Sequence, residues 1–385
     1  MGMATADELR GRVREFLAGH DPATADRLTF LGDRYDAGLA WVSFPPGLGG
    51  LGLPRELQTV VDAEFAAAGA PDVDRGRSGI GLGMAAPTIL GHGTDEQRHR
   101  WLRPLWTGAE VWCQLFSEPG AGSDLASVAT RAVRDGDGWV LDGQKVWTSM
   151  AHEAQWGILL ARTDPAAPKH LGLTYFVVAM TAPGVEVRPL RQLTGEAEFN
   201  EVFFTGVRIP DGYRLGAVGE GWRVARTTLM NERVSLGGAA VPREGGMIGA
   251  LCRAWRERPA LRTPAARDEL LQLWVDAEAA RLAAQRLREQ LAAGEPGAEG
   301  SAVKYSLARL NQRIAGFELE LLGEAGLRYG DDWAMRRPST VDWYGRSPGY
   351  RYLRSRANSI EGGTSEILSN IIAERVLGLP REASS

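Results

Sequence analysis

A glycine-rich stretch, FSEPGAGSDLAS at Phe116–Ser127, is the first candidate for chemistry. Its Pro-Gly pair and Gly122 force a tight turn in which backbone N–H groups point outward, and Ser117 and Ser123 add hydroxyl donors. Such a turn can hydrogen-bond a planar, electron-poor ring or a phosphate. By itself, however, the stretch is explained more simply as a turn from a strand into a loop.

A second stretch, DGQKVWTSMA at Asp142–Ala151, follows closely along the chain. Trp147 offers a broad aromatic face, and Thr148 and Ser149 offer hydroxyl groups beside it. A Trp in the core of a β domain is the simpler explanation of the aromatic residue. The two stretches therefore carry a functional interpretation only when they are taken together.

A carboxylate stands on the apolar side of a predicted helix, in GWRVARTTLMNERVSLGG. The residues at three- and four-residue steps are Trp222, Ala225, Leu229, Glu232 and Leu236. Glu232 thus falls on the stripe that packs inward, where a carboxylate is costly. The positions three and four residues away hold no cation. Either a tertiary ion pair with an Arg of another helix or a catalytic role explains the charge.

Together, EPGAGSD and the DGxKxWxS block resemble the central domain of acyl-CoA dehydrogenases. Upstream, HGTDEQRHRWLRPLWTGAE (His92–Glu110) is similar to the GT-x-EQ helix of that family. Downstream, IEGGTSEILSNIIAERVLGLPRE (Ile360–Glu382) is similar to its C-terminal signature. The resemblance implies an FAD-dependent enzyme that removes two hydrogens from the α,β carbons of an acyl-CoA thioester.

The resemblance also implies roles for individual residues. The implied cofactor-binding residues are Phe116, Ser117, Gly122 and Ser123 in the first turn, Trp147, Thr148 and Ser149 over the flavin ring, and Thr364 and Glu366 in the C-terminal loop. The implied substrate-binding residues are Ser123, Arg233 and Gly362. Thr364 is also placed to cap the last helix, and the two roles are compatible.

The reaction needs a carboxylate that takes the α-proton while the β-hydride passes to the flavin. In familiar members of the family this base precedes a Gly-Thr pair in the C-terminal loop, a slot that Gly362 fills here. Glu361 lies one residue early, so its side chain is expected to face solvent or an Arg. The family has a second location for the base, on the helix that opens the bundle, and Glu232 matches it. We therefore predict Glu232 as the catalytic base.

The match fails in two places. The family usually carries R-x-x-F-G after this helix, and Val241–Arg262 contains nothing like it. It also uses Q-x-x-G-G near the adenine half of the cofactor, where Glu320 and Glu324 stand here. Carboxylates near a pyrophosphate repel it unless Arg residues neutralise them.

Two alternatives consequently stay open. The chain could be a scaffold or cofactor-completing subunit of a hetero-oligomeric acyl-CoA dehydrogenase. It could also be a flavin monooxygenase or a nitroalkane-oxidising enzyme on the same fold. Those oxidations need no base against a thioester α-carbon, so the inward Glu232 counts against them.

The elements that must position these residues fall into three predicted domains of an α+β fold. Residues 1–111 read as an N-terminal helical domain, since apolar residues recur there at helical spacing. Residues 112–214 read as a central antiparallel β domain, because short β-prone runs are broken by Asp-Gly turns. Residues 215–385 read as a C-terminal antiparallel helical bundle, in which Thr263-Pro264 begins a long helix.

Bulk properties exclude several classes of function. A net charge of −4 gives no basic surface for nucleic acid. No apolar run reaches the length of a membrane span and the N-terminus lacks a signal-peptide core, so we expect a cytoplasmic protein. Two isolated cysteines and five scattered histidines predict neither a disulfide framework nor a metal site. The resemblance further implies a homo- or hetero-oligomer, a dimer or tetramer, with an electron-transfer flavoprotein as electron acceptor.

Overall fold

The computed structural model describes residues 5–237, 242–292, 298–329, 334–341 and 346–381. Within this part the chain divides into two compact units. The first unit comprises residues 1–190 and 198–228, and the second comprises 191–197 and 229–385. The predicted boundaries after residues 111 and 214 remain predictions.

The first unit begins with helices: α1 (Ala6–Gly19), α2 (Arg27–Asp36), α3 (Gln58–Ala67), α4 (Arg75–Ile80), α5 (Ala86–His92) and α6 (Asp95–Thr107). Polar side chains set where they start. Thr5 and Thr94 form capping boxes with Glu8 and Gln97, which satisfies N–H groups that a helix end leaves open. The inward faces of α1, α2 and α3 pack together through aromatic rings such as Phe16, Phe30 and Phe65. The helical prediction for this region is confirmed.

The remainder of the first unit is built on strands: β1 (Trp112–Leu115), β2 (Arg131–Asp135), β3 (Gly138–Ser149), β4 (Trp156–Arg162), β5 (Leu173–Ala179), β6 (Val185–Pro189), β7 (Phe199–Pro210) and β8 (Arg214–Leu215). Their order in the sheet is β6-β7-β3-β2-β4-β5-β8, and β1 pairs with β4. Most neighbours are antiparallel, as predicted, but β1 runs parallel to β4 and one residue pair joins β2 to β4 in parallel. The strands β4 and β5 are buried nearly throughout, which explains their continuous apolar runs.

The C-terminal elements are helical: α7 (Gly221–Gly237), α8 (Gly246–Glu257), α9 (Pro264–Ala292), α10 (Glu299–Leu322), α11 (Pro348–Ser355) and α12 (Ser365–Ile371). The predicted start of the long helix is confirmed, since Thr263 Oγ1 accepts a hydrogen bond from the N–H of Ala266 at 3.1 Å. Helices α8, α9 and α10 share an apolar core centred on Leu251, Leu273 and Ile314.

Two further observations complete the fold. Among the described helices none is long and apolar enough to cross a membrane. Both cysteines are buried: Cys113 lies on β1 in the sheet core, and Cys252 lies on α8 in the helical core.

Candidate functional site

The glycine-rich turn of the first unit is closed by its own backbone. Glu118 and Ala121 exchange two N–H···O bonds of 3.0 and 3.1 Å, which leaves the Pro-Gly pair between them at the surface. A Cβ added at Gly120 or Gly122 would meet no atom within 4 Å. The outer face of the turn therefore offers open space.

A buried ion pair holds the turn from beneath. Lys145 of β3 is fully buried, and its Nζ lies 2.8 Å from Glu118 Oε1. The same ammonium donates to the carbonyl oxygens of Phe116 and Leu160 at 2.9 and 2.8 Å. The Glu118 carboxylate also accepts from the N–H groups of Ala129 and Thr130. Every hydrogen of the ammonium is thus used to fix the turn to β3 and β4.

The ion pair has unusual protonation properties. Burial lowers the pKa of Lys145 to about 8, although the charge and hydrogen bond of Glu118 oppose that shift. Burial acts to raise the pKa of Glu118, but the charge of Lys145 and the hydrogen bonds outweigh it, so this pKa lies below its usual value. Sequence reasoning missed both residues, because a Lys and a Glu that are 27 residues apart give no periodic signal.

The second candidate stretch forms the end of β3 and includes a β-bulge. The register between β3 and β7 shifts between Lys145 and Thr148, and Trp147 adopts a left-handed backbone with φ of 59°. Bulges turn side chains away from the regular pleat. The Trp147 indole is accordingly 56% exposed, and its ring contacts Phe199 edge-on at 5.8 Å. A core role for this Trp is therefore wrong.

Thr148 has the opposite environment from its neighbour. It is completely buried, and its Oγ1 has no hydrogen-bond partner among the described residues. A buried hydroxyl without a partner is costly unless a ligand or water satisfies it. The N–H of Val146 donates to the carbonyl of Ser117 at 2.9 Å, so the two candidate stretches lie side by side.

These features fit a flavin. The open face of the turn, an exposed aromatic ring and an unsatisfied buried hydroxyl are what a planar, polar ring system needs. The fold joins the two stretches that contain the residues predicted for this purpose: Ser117 bonds Val146, and Phe116 bonds Lys145.

In the second unit, Thr364 is the N-cap of α12. Its Oγ1 accepts from the N–H of Ile367 at 3.3 Å, which confirms the predicted structural role. Glu366 follows in the first turn and is exposed. Gly362 and Gly363 precede the cap with φ of 63° and 97°, a left-handed turn that favours glycine.

Glu232 lies half-buried on α7. The ammonium of Lys304 on α10 interacts electrostatically with both Glu232 and Glu361. The alternative explanation of Glu232, a tertiary ion pair with an Arg of another helix, remains a prediction. Sequence reasoning missed Lys304, which is buried on α10.

Glu361 is engaged by its own segment. Its carboxylate accepts two hydrogen bonds from the guanidinium of Arg354, at 3.0 and 3.3 Å, and one of 2.7 Å from Asn358 Nδ2. The prediction that this carboxylate faces solvent or an Arg is confirmed for the Arg. Arg233 lies on α7 where only the backbone is described. Glu320 and Glu324 are exposed at and beyond the end of α10.

Family models match nearly the whole chain. They describe the acyl-CoA dehydrogenase N-terminal domain (residues 4–109), middle domain (residues 113–207) and C-terminal domain (residues 219–377). Acyl-CoA dehydrogenase FadE34 of Mycobacterium tuberculosis is 45% identical over 90% of this chain, which spans 45% of that relative's length. Acyl-CoA dehydrogenase IpdE1 of the same organism is 41% identical, with 90% of this chain and 86% of the relative covered.

Solved structures also match this chain over nearly its full length. The Tcur3481-Tcur3483 steroid ACAD superposes with a TM-score of 0.76 at 28% identity, covering 99% of this chain and 100% of that chain. The ChsE4-ChsE5 complex from Mycobacterium tuberculosis gives a TM-score of 0.73 at 28% identity, with the same coverage. The chain therefore belongs to the acyl-CoA dehydrogenase family, a family of FAD-dependent flavoprotein oxidoreductases of lipid metabolism. The resemblance, the fold class and the FAD cofactor predicted from the sequence are confirmed.

Proposed function

We propose that this chain dehydrogenates an acyl-CoA thioester at its α,β carbons, with Glu232 as the base that accepts the α-proton. The observation that carries this proposal is the contrast between two carboxylates of the second unit. Glu361 is bound by Arg354 and Asn358 through three hydrogen bonds. Glu232 matches in sequence the family's second location for the base; on α7 it is half-buried, and it interacts electrostatically with the buried ammonium of Lys304.

The chemistry of the reaction explains why this contrast matters. The α-proton of a thioester is weakly acidic, so its removal needs a positioned carboxylate in the ionised form. Bound FAD would supply the acceptor for the β-hydride. Glu361 would have to give up its hydrogen bonds to Arg354 and Asn358 before it could reach a substrate. The charge of Lys304 favours the ionised form of Glu232.

The residues of the first unit serve the cofactor in this proposal. The Trp147 indole would cover the flavin ring, and the hydroxyls of Thr148 and Ser149 would hydrogen-bond its polar edge. Phe116, Ser117, Gly122 and Ser123 would line the ring and the thioester end of the substrate. Thr364, Glu366, Arg233 and Gly362 complete the proposed set, with the first two on the cofactor and the other two on the substrate.

The substrate class and the electron acceptor are also proposals. A related structure is named a steroid ACAD, which supports an acyl group derived from a steroid. The reduced protein would pass its electrons to an electron-transfer flavoprotein, as in the family generally. Reoxidation by air within the turnover time would instead indicate an oxidase or oxygenase.

The oligomer is proposed to be a dimer or tetramer. The exposed Glu320 and Glu324, at the position of the family's adenine contact, support a partner chain that completes the cofactor site. ChsE4-ChsE5, which is a complex of two different chains, is a structural relative. A chain that is yellow when purified alone completes its own site, and one that binds FAD only after mixing with a second family member is a subunit of a hetero-oligomer.

The decisive experiment compares Glu232→Gln with the matched variant Glu361→Gln. Anaerobic mixing with straight-chain and steroid-derived acyl-CoAs, followed by flavin absorbance in a single turnover, isolates the chemical step. Glu232→Gln should retain FAD and reduce it about 10²–10⁴-fold more slowly, because only the proton acceptor is lost. Glu361→Gln should change the rate much less.

Two outcomes would overturn the proposal. If Glu361→Gln abolishes flavin reduction while Glu232→Gln resembles wild type, the loop carboxylate is the base. If both variants reduce flavin normally, proton abstraction by a glutamate is not part of the reaction.

A further inference from the structure

Two residues of the segment that is proposed to meet the flavin have an unusual backbone. Trp147 and Met150 have φ of 59° and 55°, in the left-handed region that residues other than glycine rarely adopt. Between them stand Thr148 and Ser149, whose hydroxyls the proposed function assigns to the cofactor. Strained backbone of this kind clusters at ligand sites, and it persists only where the surrounding structure enforces it. The segment therefore needs a restraint.

Asn200 of β7 supplies such a restraint. It is completely buried, and its side-chain nitrogen donates to the carbonyl oxygens of Thr148 and Glu198, each at 3.1 Å. The same nitrogen lies 3.2 Å from His152 Nδ1. Because carbonyl oxygens can only accept, the amide must turn its nitrogen and not its oxygen toward them. The hydrogen-bond partners thus settle the orientation of the amide.

The contacts of Asn200 hold both ends of the strained segment. The carbonyl oxygen of Glu198 also accepts from the N–H of Met150 at 2.8 Å, so one acceptor joins Asn200 to the second left-handed residue. At the other end, the Thr148 carbonyl lies where the register between β3 and β7 has shifted. Since the peptide bond is planar, the direction of this carbonyl also sets the direction of the Ser149 N–H. Asn200 thus fixes the backbone that carries both hydroxyls.

The restrained segment has the features of a preformed ligand site. Asn200 and Thr148 are direct partners in the register of β7 and β3, and Thr148 Oγ1 is the buried hydroxyl without a hydrogen-bond partner among the described residues. The neighbouring Trp147 ring is more than half exposed and contacts Phe199, the residue before Asn200. An unsatisfied hydroxyl and an open aromatic face are therefore held in place before any ligand binds.

We propose that Asn200 is a positioning residue for the flavin: its side-chain amide holds Trp147–Met150 in the strained conformation that the cofactor requires. Asn200 itself touches no cofactor atom in this proposal and acts through the Thr148 carbonyl. The inference rests on the proposed placement of Trp147, Thr148 and Ser149 at the flavin ring.

The test compares two substitutions in the same pair of strands. Asn200→Leu keeps the shape of the side chain and removes its hydrogen-bond donors. Gln144→Met is the matched control, because Gln144 of β3 donates to Glu201 of β7 at 2.9 Å, outside the strained segment. The measurements are the affinity of the apoprotein for FAD, by flavin fluorescence, and amide exchange over residues 146–153 in the apoprotein. Asn200→Ala takes the place of Asn200→Leu if the latter does not fold.

Loss of the amide should be visible with and without the cofactor. Asn200→Leu should weaken FAD binding about 10-fold, the order of magnitude of one to two buried hydrogen bonds. It should also speed amide exchange over residues 146–153 before any FAD is added. Gln144→Met should leave both quantities close to those of wild type.

The strain at Met150 gives a second readout. Glycine adopts positive φ without steric cost, so Met150→Gly removes the strain that Asn200 is proposed to hold. In the Met150→Gly background, Asn200→Leu should weaken FAD binding by less than about 3-fold, because effects on one shared backbone are not additive. The comparison uses FAD affinities and not stabilities, since loss of the buried Met150 side chain also leaves a cavity.

Two results overturn the inference. If Asn200→Leu leaves the FAD affinity unchanged, or if Gln144→Met weakens it equally, the amide does not act on the cofactor site. If Asn200→Leu causes the same loss in the wild-type and Met150→Gly backgrounds, Asn200 has a purely structural role.

Failure of the proposed function looks different from both results. In that case the wild-type protein binds FAD but no acyl-CoA reduces it, and the FAD-binding test of Asn200 still decides the inference. If Trp147→Gly and Ser149→Ala both bind FAD like wild type, the segment does not meet the cofactor. The placement of the segment and the role of Asn200 are then both overturned.

Discussion

Replacing Lys145 by Met should destabilise the first unit and loosen its glycine-rich turn. The substitution keeps the length of the side chain and removes the charge, so Glu118 stays buried without its counter-ion. Removing one partner from a buried ion pair typically costs about 3–5 kcal/mol. Glu118 retains the N–H groups of Ala129 and Thr130, at 2.6 and 2.9 Å, which offset part of that cost. We therefore expect a loss of about 3 kcal/mol in the free energy of unfolding.

The chain offers a matched control in Lys169→Met. Lys169 pairs with Asp124 at 2.8 Å, the same separation as Lys145 and Glu118, but its side chain is 50% exposed. Exposed ion pairs contribute about 0–1 kcal/mol, so this variant should lose less than about 1 kcal/mol. Urea unfolding of the FAD-loaded proteins measures both changes, and the flavin content after gel filtration reports on the turn.

Two results would refute this reasoning. If Lys145→Met and Lys169→Met lose the same free energy of unfolding, burial does not explain the stabilising effect of the Lys145–Glu118 pair. In the double variant Lys145→Met with Glu118→Gln, no carboxylate is left buried without its counter-ion. This variant should therefore be more stable than Lys145→Met alone. A double variant that is as unstable as the single one would assign the loss to packing.

Two further predictions concern the same unit. Because the pKa of Glu118 lies below its ordinary value of 4.5, the ionised Glu118 stabilises the fold at neutral pH, and this stabilisation is lost as the pH falls below 4.5. The difference in free energy of unfolding in urea between wild type and Glu118→Gln should therefore shrink from pH 7 to acid pH. Trp147→Gly relieves a left-handed backbone that costs a bulky residue about 1–2 kcal/mol, but it loses an edge-on ring contact of similar energy, so the stability of the apoprotein should change little. The affinity for FAD, measured by flavin fluorescence, should fall. An unchanged affinity would show that Trp147 does not bind the cofactor.

Local sequence signals predicted the elements of this fold well. The long helix begins at Pro264 after its Thr263 cap, as the Thr-Pro pair indicated. Helix α6 begins after Thr94, where Thr94 and Gln97 form a capping box. Both residues are visible in the sequence. Caps, helical spacing and Asp-Gly turns act over a few residues, and short-range rules therefore find them.

The site residues that sequence reasoning missed depend on long-range contacts or on strain. Lys304 and Gly363 are 59 residues apart, and no local sequence pattern around either residue predicts the hydrogen bond between them. The resemblance places Trp147 over the flavin ring, but the local sequence does not predict the exposure of its side chain, because an aromatic in a β segment usually packs inward. The bulge that exposes it requires a positive φ, which sequence rules expect of Gly or Asn rather than of Trp.

The burial of both cysteines has a practical consequence for labelling. Thiolates rather than thiols react with maleimides, and burial raises the pKa of both Cys113 and Cys252. The thiols of Cys113 and Cys252 should therefore not react with maleimides at neutral pH in the folded protein. A single cysteine introduced at an exposed position such as Val218 or Leu327 would carry a fluorophore without prior removal of the native pair. Maleimide uptake by the unmodified chain, in turn, would report the fraction of molecules whose cores have opened.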